Sequence, residues 1–331
     1  MQQYKVGVIG GGSWATALVK MLCNNVDSIN WWIRNQTTVD FINKYHHNPT
    51  YLSSVEFEIK KINLSSDLNK IIAASDLLVM AIPAAFLKGA LTSVNPESLK
   101  GKSIFSAIKG IVPEHNLIAG EFFNRQYQAP FDKIGVITGP CHAEEVALEK
   151  LSYLTIASQN TALANDVASM LACRYIKTTV SDDIYGTEYS AVLKNIFAIA
   201  SGVCHGLGYG DNFQAVLISN AIQEIDRFVA KVHPIDRDIK SSAYLGDLMV
   251  TAYSQFSRNR TFGNMVGKGY SVKSAQMEMN MVAEGYYAAK CICEINKTYQ
   301  VDMPISNAIY NILYEKISPA LEMKILSDKL S

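Results

Sequence analysis

Residues 5–22, KVGVIGGGSWATALVKML, limit what this chain can fold into more than any other stretch. Residues 6–9 are an apolar run broken only by Gly7, long enough for a buried parallel strand and too short for a helix. Gly10, Gly11 and Gly12 then mark a tight turn in which the backbone can come close to a ligand. Ser13 is the expected N-cap of a following helix, whose apolar positions Ala17, Leu18, Met21 and Leu22 recur at helical spacing. Gly10, Gly12 and Ala15 fit the pattern G-x-G-x-x-G/A, in which the amides of a helix N-terminus meet a pyrophosphate. A glycine pattern alone also describes a ligand-free turn; its setting as strand, turn and helix favours a nucleotide site.

The chain has 331 residues, enough for two domains with a core each. Lys plus Arg and Asp plus Glu each number 30, so there is no broad field to attract nucleic acid or an anionic membrane, and any phosphate recognition must be local. The opening MQQYK reaches the glycines too soon for a signal peptide, and the longest apolar run, 77–87, is too short to span a bilayer and contains Pro83. A soluble, cytoplasmic protein acting on a small molecule is expected, with no nucleic acid and no membrane insertion. Six cysteines stand at 23, 141, 173, 204, 291 and 293 without a C-x-x-C pair, so neither a disulfide framework nor a metal site is expected. In Cys141-His142 and Cys204-His205 the neighbouring side chains point away from a common centre.

Along the chain, strands are predicted at 29–33, 59–64, 77–82, 103–108, 134–138, 153–157 and 175–180. Helices alternate with them at 37–45, after Asp67, after Pro83 through Leu91, after Gly139-Pro140, and at 161–173. Such alternation predicts an α/β fold: a Rossmann-type, doubly wound, largely parallel sheet over residues 1–181. Ligands of such sheets bind at the carboxyl ends of strands, where Lys109-Gly110 would lie. Arg34 ends the second strand where an acid would hold the ribose of NAD, and a guanidinium there suits a 2′-phosphate, so the cofactor leans toward NADP(H) over NAD(H). A solvated arginine is the other reading. From 182 to 331 the periods are helical only (188–201, 212–232, 282–295, 304–314), which predicts an all-helical second domain. With no flexible linker between them, the two are expected to share a firm interface and a cleft beside the glycine turn.

Lys194 lies in EYSAVLKNIFAIASG, where Ser190, Lys194 and Ser201 make a narrow polar stripe on an apolar helix. Burial there would lower the amine's pKa toward the range useful for proton transfer, while a snorkelling lysine fits the sequence equally well. Asp247, between apolar residues after a glycine, suits a substrate hydroxyl, the Lys194 ammonium or simply a helix cap. Ser257-Arg258-Asn259-Arg260 could wrap a phosphate dianion or form a solvated basic turn. Lys109 is a second candidate for anion binding.

Ten motifs in order, GGGSWATAL, WIRN, NPTYL, SAIKGI, TGPCHAEEVA, EYSAVLKNIFAIASGVCHGLGYGDN, LGDLMVT, SRNRTFG, VAEG and MPISNAIY, resemble those of bacterial NAD(P)-dependent sn-glycerol-3-phosphate dehydrogenases, up to about residue 314. The resemblance implies reversible hydride transfer between NAD(P)H and dihydroxyacetone phosphate, giving the backbone precursor of glycerophospholipids. It implies cofactor contacts at Gly10, Gly12, Ser13, Trp14, Arg34, Lys109, Ala143, Arg258, Val282 and Glu284. Substrate contacts fall on Lys109, Gly139, Cys141, Lys194, Asp247, Ser257, Arg258 and Asn259, with Lys194 the proton donor and acceptor. Two positions depart from the family pattern: Ala15 replaces a glycine and still permits close packing, and Cys141 replaces a serine with a weaker donor. A homodimer is also expected, though no stretch marks an interface. The rivals are a related two-domain hydroxyacid dehydrogenase of 6-phosphogluconate or ketopantoate type, against which Arg258, Asn259 and Asp247 argue, and a non-catalytic nicotinamide-sensing regulator.

Overall fold

A computed structural model describes residues 4–279 and 281–331; the first three residues, read above for a leader, lie outside them. The chain divides into two compact units. The first comprises Met1–Ile82, Phe86–Ile108 and Ala119–Ile184, the second Pro83–Ala85, Lys109–Ile118 and Tyr185–Ser331.

In chain order the elements are β1 (Val6–Ile9), α1 (Ser13–Leu22), β2 (Ile29–Trp32), α2 (Gln36–Tyr45), β3 (Ile62–Ser65), α3 (Leu68–Ala73), β4 (Leu77–Met80), α4 (Ala84–Ala90) and β5 (Ser103–Ser106). After the short strands β6 (Ile111–Val112) and β7 (Leu117–Ile118) come α5 (Ala119–Tyr127), β8 (Ile134–Thr138), α6 (Ala143–Ala147), β9 (Ser152–Ala157), α7 (Thr161–Leu171) and β10 (Ile176–Ser181). The rest is helical: α8 (Ile184–Gly206), α9 (Asp211–Val232), α10 (Asp247–Tyr253), α11 (Arg258–Gly267), α12 (Val272–Glu278), α13 (Glu284–Tyr299), α14 (Pro304–Leu313) and α15 (Pro319–Ser327).

The first unit is a sheet of eight strands in the order β10-β9-β8-β5-β4-β1-β2-β3, parallel throughout except where β9 runs against β8. The doubly wound expectation is met. Strands β1, β4 and β5 are buried at every position, as strands covered on both faces must be, whereas the edge strand β10 exposes alternate residues. The chain winds to one side of β1 through β2 and β3 and to the other through β4 and β5, so the glycine turn sits where the winding reverses.

Some local readings change. The N-cap of α1 is Gly12, in extended conformation (φ −82°, ψ −177°), and Ser13 is the first helical residue. The strand expected from 59 begins with a single tight helical turn, and β3 starts only at Ile62. The β6–β7 pair was not foreseen, because two residues per strand carry no period to read.

The second unit is built around α8. Every residue from 186 to 204 is buried, so this helix is surrounded rather than amphipathic. Phe228, Phe262 and Ile309 are among the side chains of the core that encloses it. Helices α8 and α11 meet backbone to backbone: a Cβ on Gly263 would lie 2.1 Å from Ile199 O, and one on Gly202 2.1 Å from Arg260 O. A mid-helix glycine costs about 1 kcal/mol of propensity, so its presence on both facing surfaces is a packing requirement. Glu224 of α9 accepts the Ile305 and Ser306 N–H groups, both at 2.9 Å, and so caps α14 from a neighbouring helix. Burial pushes its carboxyl up to about 7 against those bonds.

Gly263→Ala should therefore cost about 1–3 kcal/mol or more, since rigid backbone faces the new methyl. The measurement is the urea midpoint at unchanged slope; a wild-type midpoint would contradict the close contact.

Candidate active site

Within the second unit, Lys194, Asp247 and Lys109 meet. Lys194 stands mid-way along α8 and is 4 % exposed, which removes the snorkelling alternative. Asp247 opens α10 and is 1 % exposed. The Lys194 Nζ donates to Asp247 Oδ1 at 2.5 Å and to Thr251 Oγ1 at 3.0 Å, and the Lys109 Nζ lies 3.1 Å from Asp247 Oδ2. Thr251 follows Asp247 by one helical turn, and its hydroxyl donates to the Asp247 carbonyl at 2.6 Å, leaving a lone pair turned to the ammonium.

Two buried groups, Lys194 and Asp247, are shifted by each other and by the part-exposed Lys109. Burial is the largest influence on Lys194 and pulls its pKa from 10.5 down to about 7; Asp247 opposes this and Lys109 adds to it. Burial alone would raise the Asp247 carboxyl, but Lys109 first and Lys194 second hold it below its usual range. The carboxylate is thus shared: Lys109 takes much of its charge, and Lys194 is left poised near neutrality.

Around this group runs a relay that sequence reasoning missed. Asn195 Nδ2 donates to the Lys109 carbonyl at 2.6 Å, and Asn259 Nδ2 donates to Asn195 Oδ1 at 2.9 Å. Asn259 Oδ1 in turn accepts from the Gly285 N–H at 2.9 Å. The available signal was position: Asn195 adjoins Lys194, and Thr251 lies four residues after Asp247. Ser257 caps α11, accepting from the Arg260 N–H, and Arg258 and Asn259 are its first two residues. What reads in sequence as a basic turn is a helix N-terminus, whose partial positive charge adds to that of Arg258. Val282 precedes α13, which Glu284 opens. Glu284 accepts the Ala84 N–H at 2.9 Å, and burial raises its pKa to about 7 against that bond and the Arg258 charge.

The remaining candidates lie in the first unit, at the carboxyl ends of parallel strands. Gly10, Gly12, Ser13 and Trp14 form the β1–α1 turn, Arg34 follows β2 and is exposed, and Gly139, Cys141 and Ala143 form the β8–α6 turn. At Gly10 the backbone is left-handed (φ +141°) and a Cβ would fall 2.4 Å from Ala81 O, so only glycine fits. Gly12 has nothing within 4 Å of a would-be Cβ, an open face against which a phosphate can approach the backbone. These residues fit a dinucleotide. Among the described residues no group of His, Cys, Asp or Glu could hold a metal ion.

A glycine turn of dinucleotide pattern on a doubly wound sheet and a buried amine brought near neutrality fit the class of nicotinamide-dependent oxidoreductases. Models of the NAD-dependent glycerol-3-phosphate dehydrogenase N-terminus and C-terminus match residues 5–164 and 183–324. Glycerol-3-phosphate dehydrogenase [NAD(P)+] of Staphylococcus aureus (strain JH9) is 35 % identical over 315 residues, 95 % of either chain. A crystal structure of glycerol-3-phosphate dehydrogenase from Coxiella burnetii superposes with a TM-score of 0.90 at 26 % identity, covering 98 % of both chains. That from Plasmodium falciparum has a TM-score of 0.84 at 23 % identity, covering 97 % of this chain and 94 % of that one, and shares the fold. The chain belongs to the NAD-dependent glycerol-3-phosphate dehydrogenase family.

Because Lys109 and Asp247 push Lys194 in opposite directions, their removal should too. In Lys109→Met the Lys194 titration should move up from the wild-type midpoint, and in Asp247→Asn down, followed by NMR of the labelled side chain. Shifts of the same sign would refute the shared carboxylate.

Proposed function

We propose that this protein reduces dihydroxyacetone phosphate to sn-glycerol 3-phosphate with NAD(P)H, reversibly. The observation that carries this reading is the Lys194 amine, buried, held by Asp247 and Thr251, and brought near neutrality. The substrate phosphate docks on the first turn of α11, where Arg258 supplies a bidentate donor and Ser257 and Asn259 single bonds. One Asn259 N–H is already committed to Asn195, so the amide is fixed before substrate arrives. Gly139 and Cys141 contribute backbone contacts, which do not depend on a strong side-chain donor.

With the phosphate anchored, the carbonyl oxygen is placed at the Lys194 ammonium. NAD(P)H, when bound, would be the source of the hydride that C2 receives. As negative charge develops on that oxygen, Lys194 transfers its proton to it, and the Lys109 charge beside it makes that release easier. In the reverse direction the neutral amine takes the proton back from the C2 hydroxyl. A group titrating near pH 7 serves both directions, since each protonation state is then well populated. Asp247 orients the amine through Oδ1 and remains ionised, held so by Lys109.

In this reading Gly10, Gly12 and Ser13 would hold the pyrophosphate of NAD(P)H, and Trp14, Ala143, Val282, Glu284, Lys109 and Arg258 would be its further contacts. Arg34 is exposed after β2, while its neighbour Asn35 is occupied as the cap of α2, accepting from Thr37 N–H at 2.8 Å. An exposed guanidinium with no acid beside it in sequence favours the 2′-phosphate of NADP(H). The protein is taken to act in the cytoplasm, as a homodimer, supplying glycerophospholipid synthesis; among the described residues no helix is long and apolar enough to cross a membrane.

The assay is turnover of dihydroxyacetone phosphate with NADH and NADPH in competition. Lys194→Ala should lower kcat by roughly 10²–10⁴-fold while NADH still binds, and turnover like that of the wild type would overturn the assignment. Arg258→Ala should act chiefly on substrate, raising KM by about 10–100-fold; an unchanged KM would remove the phosphate role.

A further inference from the structure

Each backbone carbonyl of the Gly10–Gly12 turn is held from within the first unit by a side chain that is itself wholly buried. Trp31 Nε1 donates to Gly10 O at 2.7 Å, Asn48 Nδ2 to Gly11 O at 3.2 Å, and Thr16 Oγ1 to Gly12 O at 2.9 Å. The three side chains come from different places: β2, the loop after α2, and α1. They are also braced. Asn48 Nδ2 donates to Thr16 Oγ1 at 3.0 Å, and Asn48 Oδ1 accepts from the Thr50 and Tyr51 N–H groups at 3.0 and 3.1 Å. The Trp31 ring is set edge-on against Phe57, centroids 5.3 Å apart.

A trans peptide is planar, with its C=O and the following N–H on opposite sides, so fixing the direction of a carbonyl also fixes that of the next amide. With the Thr16 N–H, which also donates to Gly12 O at 3.0 Å, the three bonds therefore aim the N–H groups of Gly11, Gly12 and Ser13, the donors such a turn offers to phosphate oxygens. Glycine peptides left to themselves would rotate among many orientations. We propose that Trp31, Asn48 and Thr16 are positioning residues that set cofactor affinity by orienting the amides of the glycine turn, without touching the nucleotide. This rests on the reading that the turn holds a dinucleotide pyrophosphate.

The test is calorimetric titration of the full-length protein and its variants with NADH and with ADP-ribose, which keeps the pyrophosphate and lacks nicotinamide, alongside steady-state kinetics. Trp31→Phe keeps the ring and removes the donor; Thr16→Val keeps the shape and removes both the bond to Gly12 and the support of Asn48. Each should weaken both ligands roughly three- to tenfold, the worth of one lost hydrogen bond, and Thr16→Ser, which restores the hydroxyl, should recover most of the affinity. The loss should appear in the KM for cofactor, with kcat at saturating cofactor and the KM for dihydroxyacetone phosphate retained. A lowered melting temperature with both affinities within about twofold of wild type would make these bonds merely structural and overturn the proposal, as would an equal fall in every kinetic constant. Failure of the wild type to bind NADH would instead overturn the parent reading and this inference with it.

Discussion

Much of the second unit exists to hold a lysine where water would not leave it. One carboxylate cannot fully satisfy two ammonium groups, and the imbalance falls on the more buried amine. Lys109 is 19 % exposed along its side chain, whereas Lys194 lies out of solvent and donates to Asp247 and Thr251. A buried charge with incomplete compensation is expensive, and the system relieves that expense by letting the proton go near neutral pH. An amine that gives up its proton this readily is also one that can deliver it to a developing alkoxide.

That arrangement requires the helices to be stiff. The lysine, the carboxylate and the Ser257–Asn259 turn stand on α8, α10 and α11, and the asparagine relay from Lys109 through Asn195 and Asn259 to Gly285 ties them to α13. Close approach of α8 and α11 at paired glycines lets the amides of Asn195 and Asn259 reach each other at 2.9 Å. In the first unit buried donors likewise stand behind a backbone turn: the carbonyls of Gly10, Gly11 and Gly12 accept from Trp31, Asn48 and Thr16. In both units flexible or costly groups are fixed by residues that do no chemistry themselves.

Local signals made the sheet legible. Four-residue apolar runs, glycine turns and helical periods are short-range features, and β8 and α2 fall within a residue of where the sequence puts them. Asp67 caps α3 as its position suggests. The pair β6 and β7 escaped because two residues carry no period, and Ser13 lost the cap to Gly12 because the extended backbone that defines a cap comes one residue earlier. Lys194 was legible as an oddity, a charge in an apolar helix, but the sequence alone left burial and snorkelling level.

The amino-acid order by itself determined the alternation of strands and helices, the place of the glycine turn, the shift to an all-helical texture after about residue 182, and the family, because each is written in neighbouring residues or in motifs of fixed spacing. Only the tertiary structure decided that Lys109 and Lys194, 85 positions apart, share one carboxylate another 53 residues on, and that Trp31 and Asn48 reach back to the glycines. Such contacts depend on how elements distant in sequence pack together, and a pKa or the direction of a peptide plane depends on every charge and donor that packing brings within a few ångströms.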